Sequence, residues 1–198
     1  MYLFGASGHG KVVKEILEAQ LQQVIAFIDD SLNVYKWCGK DVLHDAVGLS
    51  PMIVCIGDNF SRKKVVERLQ CNFGVAVHPN AVISPSATIG EGTVVMAGVV
   101  INAGVVIGEH CIINTGATID HDCVIGDFCH IAPGAHICGS TRIGEGTWIG
   151  VGTSVIQCLN IGDWCMIGAG SVVVTDIPEN VTAFGNPCKV KKRVSNLK

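Results

Sequence analysis

From Ile101 to Ile149 the chain reads INAGVV IGEHCI INTGAT IDHDCV IGDFCH IAPGAH ICGSTR IGEGTW I, with an aliphatic residue opening each block of six. The step extends outward in both directions, through Val95, Ile89, Ile83 and Val77 on one side and Val155, Ile161, Ile167 and Val173 on the other. A period of six matches neither the 3.6-residue turn of a helix nor the two-residue alternation of an ordinary strand. It matches short strands joined by tight corners, three to a turn, as in a parallel β-helix of hexapeptide repeats. Coils stacked at a strand spacing of about 4.8 Å give a prism of roughly five to six turns, about 25 to 28 Å long.

The residue four beyond each aliphatic is small or medium, as at Ala87, Thr93, Val99, Val105, Ala117, Ala135, Thr141, Thr147, Thr153 and Ser171, with Leu159 the bulkiest exception. It reads as a second inward position. The residue directly after the aliphatic is often glycine, at Gly90, Gly108, Gly126, Gly144, Gly150, Gly162 and Gly168. Such glycines are expected at corners where the backbone needs freedom. Of the 10 cysteines, Cys111, Cys123, Cys129 and Cys165 share the small inward position and read as core hydrophobes. Cys38, Cys55, Cys71, Cys138, Cys158 and Cys188 have no spacing that suggests chemistry. No C-x-x-C pair occurs, so neither a zinc ribbon nor a thioredoxin-like site is indicated, and a reducing cytoplasm is the expected compartment.

Composition narrows the partners. The 198 residues carry 14 Lys and Arg against 17 Asp and Glu, a net charge of −3, which argues against a nucleic-acid or anionic-membrane surface. A hydrophobic share of 48% with only 6% aromatics excludes disorder and disfavours a helical bundle. The opening Met1-Tyr2-Leu3-Phe4-Gly5 has no basic start or long apolar run, so no secretory signal is expected, and no apolar stretch is long enough to predict membrane insertion.

Before the repeat the pattern changes. Tyr2–Phe4 reads as a strand, Gly5-Ala6-Ser7-Gly8-His9-Gly10 as a tight loop and 11–20 as an amphipathic helix. Val24–Ile28 and Met52–Ile56 read as further strands, and Ser61 as the cap of a helix over 61–69. Residues 1–75 are therefore expected to form a small α/β unit resembling half of a doubly wound fold, 76–176 the β-helix, and 177–198 a C-terminal tail. Glycines between a first strand and a first helix let backbone amides approach a phosphate. The spacing is G-x-x-G-x-G, not the dinucleotide G-x-G-x-x-G, and points to a mononucleotide or nucleotide-sugar; a tight turn without ligand is the alternative. Asp29 and Asp30 end the second strand, where ribose or base contacts are commonly made, and Gly57 ends the third. All three also suit solvated turns.

With a period of eighteen, the numbering assigns faces: face a carries Ile119 and Ile137, face b Ile125 and Ile143, and face c Ile113, Ile131, Ile149 and Ile167. His121 and Asp122 fall at the corner between a and b, with Gly139 one coil above His121. Asn114 and His130 fall on face c. A face spans about five extended residues, roughly 15 Å, so a site using both groups would lie between subunits. A carboxylate on one imidazole nitrogen raises the basicity of the other, which makes His121, between Asp120 and Asp122, a candidate general base if the corner turns Asp122 back. His44, His78, His110 and His136 read as surface or packing residues.

Jointly, Gly5-Ala6-Ser7-Gly8-His9-Gly10, Phe27-Ile28-Asp29-Asp30, Ile56-Gly57-Asp58-Asn59, the unbroken repeat, Asp120-His121-Asp122-Cys123-Val124-Ile125-Gly126 and Gly185-Asn186-Pro187-Cys188-Lys189 resemble the bacterial nucleotide-sugar acetyltransferases of the hexapeptide-repeat superfamily. The resemblance is nearest to the UDP-4-amino-sugar N-acetyltransferases of the bacillosamine pathway, with the sialic acid O-acetyltransferases as cousins. It implies a left-handed β-helix, a homotrimer with acetyl-CoA bound between subunits, a UDP-amino-sugar substrate and no metal. It implies His121 as general base and Asp122 as its supporting acid. Asn114, His130 and the Gly139 amide would contact the acetyl group, and Val151 and Ala169 would lie along the CoA arm. Ser7, Gly8, His9, Asp29, Asp30 and Gly57 would hold the nucleotide-sugar. In this chain Asp122 stands where the nearest relatives have the longer Glu, Ala169 replaces a glycine, and Cys188 replaces an Ala. The basic residues Lys189, Lys191, Lys192, Arg193 and Lys198 would either meet CoA phosphates or stay solvated. Alternative functions on the same scaffold are O-acetylation of a sugar, a zinc hydratase using His110, His121, His130 and His136, and a non-catalytic nucleotide-sugar sensor.

Overall fold

The repeats fold as their period dictates in the computed structural model, which describes residues 1–193. Each block of six contributes a two-residue strand, and strands eighteen apart pair in parallel. Ile101, Ile119, Ile137 and Val155 follow one another on face a, Ile107, Ile125, Ile143 and Ile161 on face b, and Val95, Ile113, Ile131, Ile149 and Ile167 on face c. The three sheets are the walls of a left-handed parallel β-helix that follows a small α/β domain. Every aliphatic of the ladder from Val95 to Val173 is at most 2% exposed, so the Ile and Val of all three walls meet in the column's core. Each buried side chain contributes about 1.5 to 3 kcal/mol of transfer free energy before chain entropy is charged against it.

The second inward position does more than fill space. The hydroxyls of Thr141, Thr147 and Thr153 and the thiols of Cys111, Cys123 and Cys129 each donate to the backbone carbonyl fifteen residues ahead, at 2.7 to 3.2 Å. A buried carbonyl left without a donor is costly. The cysteines are therefore small hydrophobes that also close a corner.

The glycines that follow the aliphatics act differently from the sequence expectation. Their backbones are not left-handed; they lack room. A Cβ on Gly126 would stand 2.7 Å from the amide nitrogen of Glu145, and one on Gly150 would stand 2.6 Å from that of Ala169, on the coil above. From Gly92 to Gly170 the left-handed residue of the corner lies two positions further on. It is often glycine, as at Gly116 with φ 66°, but Asp122 and Ser140 adopt it at φ 59°. Asp and Asn tolerate this region better than most residues.

The N-terminal unit comprises β1 (Tyr2–Phe4), α1 (Gly8–Ala19), β2 (Phe27–Ile28), β3 (Lys36–Trp37), β4 (Lys40–Leu43), β5 (Met52–Val54) and α2 (Asn59–Arg68), with sheet order β3-β4-β2-β1-β5. The β3–β4 hairpin, antiparallel at the sheet edge, is an addition that the sequence pattern did not signal. Helix α1 begins at Gly8 rather than at residue 11, because the Ser7 hydroxyl caps it by accepting from the Gly10 amide. Gly8, His9 and Gly10 therefore form its first turn and not a free loop. Helix α2 is capped by Asp58, whose carboxylate accepts from the Ser61 amide at 2.8 Å, so Ser61 is a first-turn residue and not the cap.

This unit sits on face c. Leu3, Val13 and Leu17 share a buried cluster with Val94, Met96 and Ile112 of the β-helix. Arg62 of α2, 1% exposed, crosses the junction and donates to the carbonyls of His110 and Phe128 on the column and of Ile56 and Gly57 on its own side, at 2.8 to 3.0 Å. Asn59 adds a bond to the Gly146 carbonyl at 3.0 Å. At the other end the chain does not trail away after the last rung: Val181–Phe184 pairs in parallel with Met166 and Ile167 and in antiparallel with Lys189–Arg193. Lys189, Lys191, Lys192 and Arg193 are exposed on that outer strand, and Lys198 lies outside the described residues.

Candidate active site

The left-handed corner at Asp122 bends its carboxylate back toward the preceding residue. Oδ2 lies 2.9 Å from His121 Nδ1, so the shorter acid does reach the imidazole. An ionised carboxylate accepts from the protonated Nδ1, which leaves the lone pair on Nε2. This hydrogen bond, followed by the charge of Asp120, raises the His121 pKa above its ordinary value. The ring lies against Gly139 one coil above, where a Cβ would fall 2.7 Å from both Cε1 and Nε2. Any side chain at residue 139 would push the imidazole aside.

Asn114 and His130 meet on face c. The Asn114 Oδ1 accepts from the Thr115 amide at 2.8 Å, which orients its NH2 toward His130 Nε2 at 3.0 Å. His130 is 6% exposed and packs on Trp148 with ring centroids 4.0 Å apart. Burial, then the Arg62 and His9 charges, lower its pKa to about 3, so it is a neutral acceptor at physiological pH. His9, at the mouth of α1, is lowered to about 4 by burial and by Arg62. The involvement of Arg62 with both rings places His9 and His130 at one junction between the α/β unit and face c.

Around the glycine loop the roles divide. A Cβ on Gly5 or Gly10 would strike neighbouring backbone, whereas the space above Gly8 and Gly57 is open. Asp29 is an architectural residue here: its carboxylate accepts from the Ala6 amide and the Ser31 amide, both at 2.8 Å, and thereby sets the loop. Asp30 pairs with Arg68 at 2.6 Å. Both acids were expected to face a ribose or base directly. Beside them opens a cavity of about 380 Å³, lined by Phe4, Ile28, Asp30, His44, Arg68 and Leu69 among others.

Val151 and Ala169 stack on successive coils, both exposed, through a Gly170 amide to Val151 carbonyl bond of 2.8 Å. The same edge descends through Pro133 to Thr115 beside Asn114, by equivalent bonds from Gly152 and Gly134. This edge is exposed at Thr115, Val151 and Ala169 and half-buried at Pro133. The histidines of the zinc alternative do not converge, and among the described residues no group of three His, Cys, Asp or Glu side chains could hold a metal ion. His110 is instead a packing residue, 3% exposed and stacked on Phe128 with centroids 5.2 Å apart. Sequence reasoning missed Arg62, Asn59, Asn102 and Trp148. Asn59 closes the Ile56-Gly57-Asp58-Asn59 stretch but had no role assigned to it, and the other three belong to no motif, so only a map of which faces touch could have singled them out.

His121 projects from the corner between faces a and b, and the α/β unit of the same chain covers the opposite face, c. A triangular column with a nucleotide-binding type of unit on one wall and a histidine–carboxylate pair on the far edge defines a hexapeptide-repeat acyltransferase. Comparison with known proteins narrows the class. Residues 1–69 match the PglD N-terminal domain family, and residues 104–139 and 140–175 match the six-repeat bacterial transferase hexapeptide family. The chain is similar to a histidine variant of perosamine N-acetyltransferase from Caulobacter crescentus, solved with CoA and GDP-perosamine, at 41% identity over 96% of each chain and a TM-score of 0.92. It is similar to the acetyltransferase domain of PglB from Neisseria gonorrhoeae, solved with acetyl coenzyme A, at 42% identity over 96% of this chain and 98% of that one, with a TM-score of 0.90. A UDP-N-acetylbacillosamine N-acetyltransferase from Bacillus subtilis is 40% identical over 108 residues, a match spanning 48% of this chain and half of that protein. The chain belongs to this family of hexapeptide-repeat sugar N-acetyltransferases, enzymes that draw their acetyl group from acetyl-CoA.

Proposed function

We propose that the protein transfers acetyl from acetyl-CoA to the primary amine of a UDP-linked 4-amino-4,6-dideoxy sugar, with His121 as general base. The observation that carries the reading is the His121–Asp122 pair at 2.9 Å, which leaves Nε2 as the free basic nitrogen. The neutral amine attacks the thioester carbonyl carbon and forms the C–N bond while Nε2 accepts the amine proton. The C–S bond then breaks, and the imidazolium returns a proton to the departing CoA thiolate. The Gly139 amide stabilises the developing oxyanion, Asn114 and His130 contact the acetyl group, and Val151 and Ala169 flank the pantetheine arm. Ser7, Gly8, His9 and Gly57 hold the diphosphate and sugar at the open first turn of α1, where the helix dipole favours an anion. Asp29 and Asp30 shape that site, and the 380 Å³ cavity beside Asp30 receives the base.

Because His121 and the α/β unit of one chain lie on opposite sides of its column, the complete site forms between protomers of a homotrimer. UDP rather than GDP rests on the Bacillus subtilis relative and on the motif resemblance; the perosamine enzyme binds a GDP-sugar. An acetyl-CoA assay against matched UDP- and GDP-amino sugars, read by mass spectrometry, tests the reading. Acetylation of the UDP-amino sugar is expected; a preference for the GDP sugar overturns the nucleotide assignment, and acetylation confined to hydroxyls overturns N-transfer.

A further inference from the structure

Beneath the His121 corner lies a polar pair that the transfer chemistry above does not use. The residues that directly follow the face a aliphatics stack in a column, Ser84, Asn102, Asp120, Cys138 and Ile156, at the 18-residue repeat. Two rungs of this column hold complementary groups: Asn102 Nδ2 donates to Asp120 Oδ1 at 2.8 Å. The same Oδ1 accepts from the His121 backbone amide, also at 2.8 Å. Asp120 thus ties the peptide that carries the imidazole to the coil below, while Asp122 fixes the ring in its plane and Gly139 bounds it from above.

We infer that Asp120, held by Asn102, is a positioning residue for His121: it locks the backbone of the base and presents a second permanent negative charge to the imidazole. The inference rests on His121 acting as the base. A carboxylate that already accepts from two N–H donors is stabilised in its charged form, and Asp120 is accordingly held below the usual carboxylate range, first by Asn102 and then by the His121 amide. It stays anionic wherever His121 titrates. The titratable groups around the ring are Asp120 and Asp122 on its own corner and the exposed Cys138 thiol on the coil above, while His136, on the same face, is bonded to Thr118 at 2.9 Å. Asp120 and Asp122 act in the same direction, so neither alone accounts for the basicity of Nε2.

The test is the isosteric variant Asp120→Asn, with Asn102→Ala as a second variant that leaves the carboxylate in place and removes only its clamp. Two quantities are measured: the pH dependence of kcat/KM, and the His121 imidazole titration followed directly by NMR. In Asp120→Asn both the imidazole pKa and the acid limb of kcat/KM are expected to fall together by a few tenths of a unit to about one unit, the span left to a solvent-screened charge. The difference from wild type should shrink in about 1 M salt, where the Debye length drops to roughly 3 Å. Asn102→Ala should lower kcat several-fold with KM little changed, and Asp120→Glu should recover the pH profile in part. An imidazole titration unchanged in Asp120→Asn overturns the inference. A shifted titration beside an unmoved acid limb upholds the tie to His121 and removes His121 as the base.

Discussion

A single backbone angle decides whether this corner can do chemistry. On an extended strand the side chains of His121 and Asp122 would point to opposite sides; the left-handed φ of 59° at Asp122 turns its carboxylate onto the neighbouring imidazole. With Nε2 as the base, His121→Ala should lower kcat by about 10² to 10⁴, the usual range for losing a positioned general base, with the mass by light scattering unchanged from wild type. Wild-type turnover in that variant would remove the assignment. The pair was legible in the sequence as candidates, because acids flanking a histidine at a corner are visible in the numbering. Its geometry was not, because the sign of φ at an Asp is invisible without coordinates. Asp29 and Asp30 were legible only as strand-end acids: their position suggested ligand contacts or a solvated turn, and the bonds of their carboxylates to the Ala6 and Ser31 amides and to Arg68 were invisible in the sequence.

At the scale of the repeat, the six-residue step fixed strands, faces and core without help from any structure, because one inward aliphatic per block leaves little freedom of register. The corners were only half readable. Glycine occurs at both special positions, and composition alone does not separate a residue that needs φ above zero from one that needs to be thin. The structure separates them, with a measurable consequence. Gly126→Ala must displace the backbone of the next coil and should destabilise the protein by about 1 to 3 kcal/mol, the range for overpacking. Gly116→Asn meets open space and a conformation that Asn accepts, and should cost less than about 1 kcal/mol. Denaturant melts of the two variants check this. An Asn variant weaker than the Ala variant would reverse the two roles.

Across the whole molecule, the α/β unit and the column are joined by a buried cation and three neutral imidazoles. Arg62 remains charged, its pKa lowered only to about 10 by burial, and it spends its donors on carbonyls from both sides. His9, His110 and His130 are lowered to about 4, 4 and 3, in each case first by burial and then by Arg62. An unfolded chain would protonate them near pH 6.5, so below that value the unfolded state binds the extra protons and stability falls as pH drops toward about 4. Their contribution is complete above about pH 6.5. Urea melts at pH 7.5 and 5 should therefore show a lower midpoint at pH 5, and a midpoint indifferent to pH over that range would contradict the buried, neutral state of these rings. None of this junction was legible in the sequence. Arg62 and Asn59 lie in a short, largely polar helix, and only the packing of α2 on face c gives them their partners across the junction.

That packing also places the α/β unit and His121 on opposite sides of each column, which makes a shared site the central claim. Complementation tests it most directly: a His121→Ala protein and a Gly57→Trp protein, the second closed at the nucleotide-sugar unit, are each purified, then unfolded together and co-refolded. A site built from the His121 edge of one protomer and the α/β unit of another predicts that the mixture regains acetyl transfer that neither variant has alone. A mixture as inactive as its two components, despite proven exchange of protomers, would contradict it.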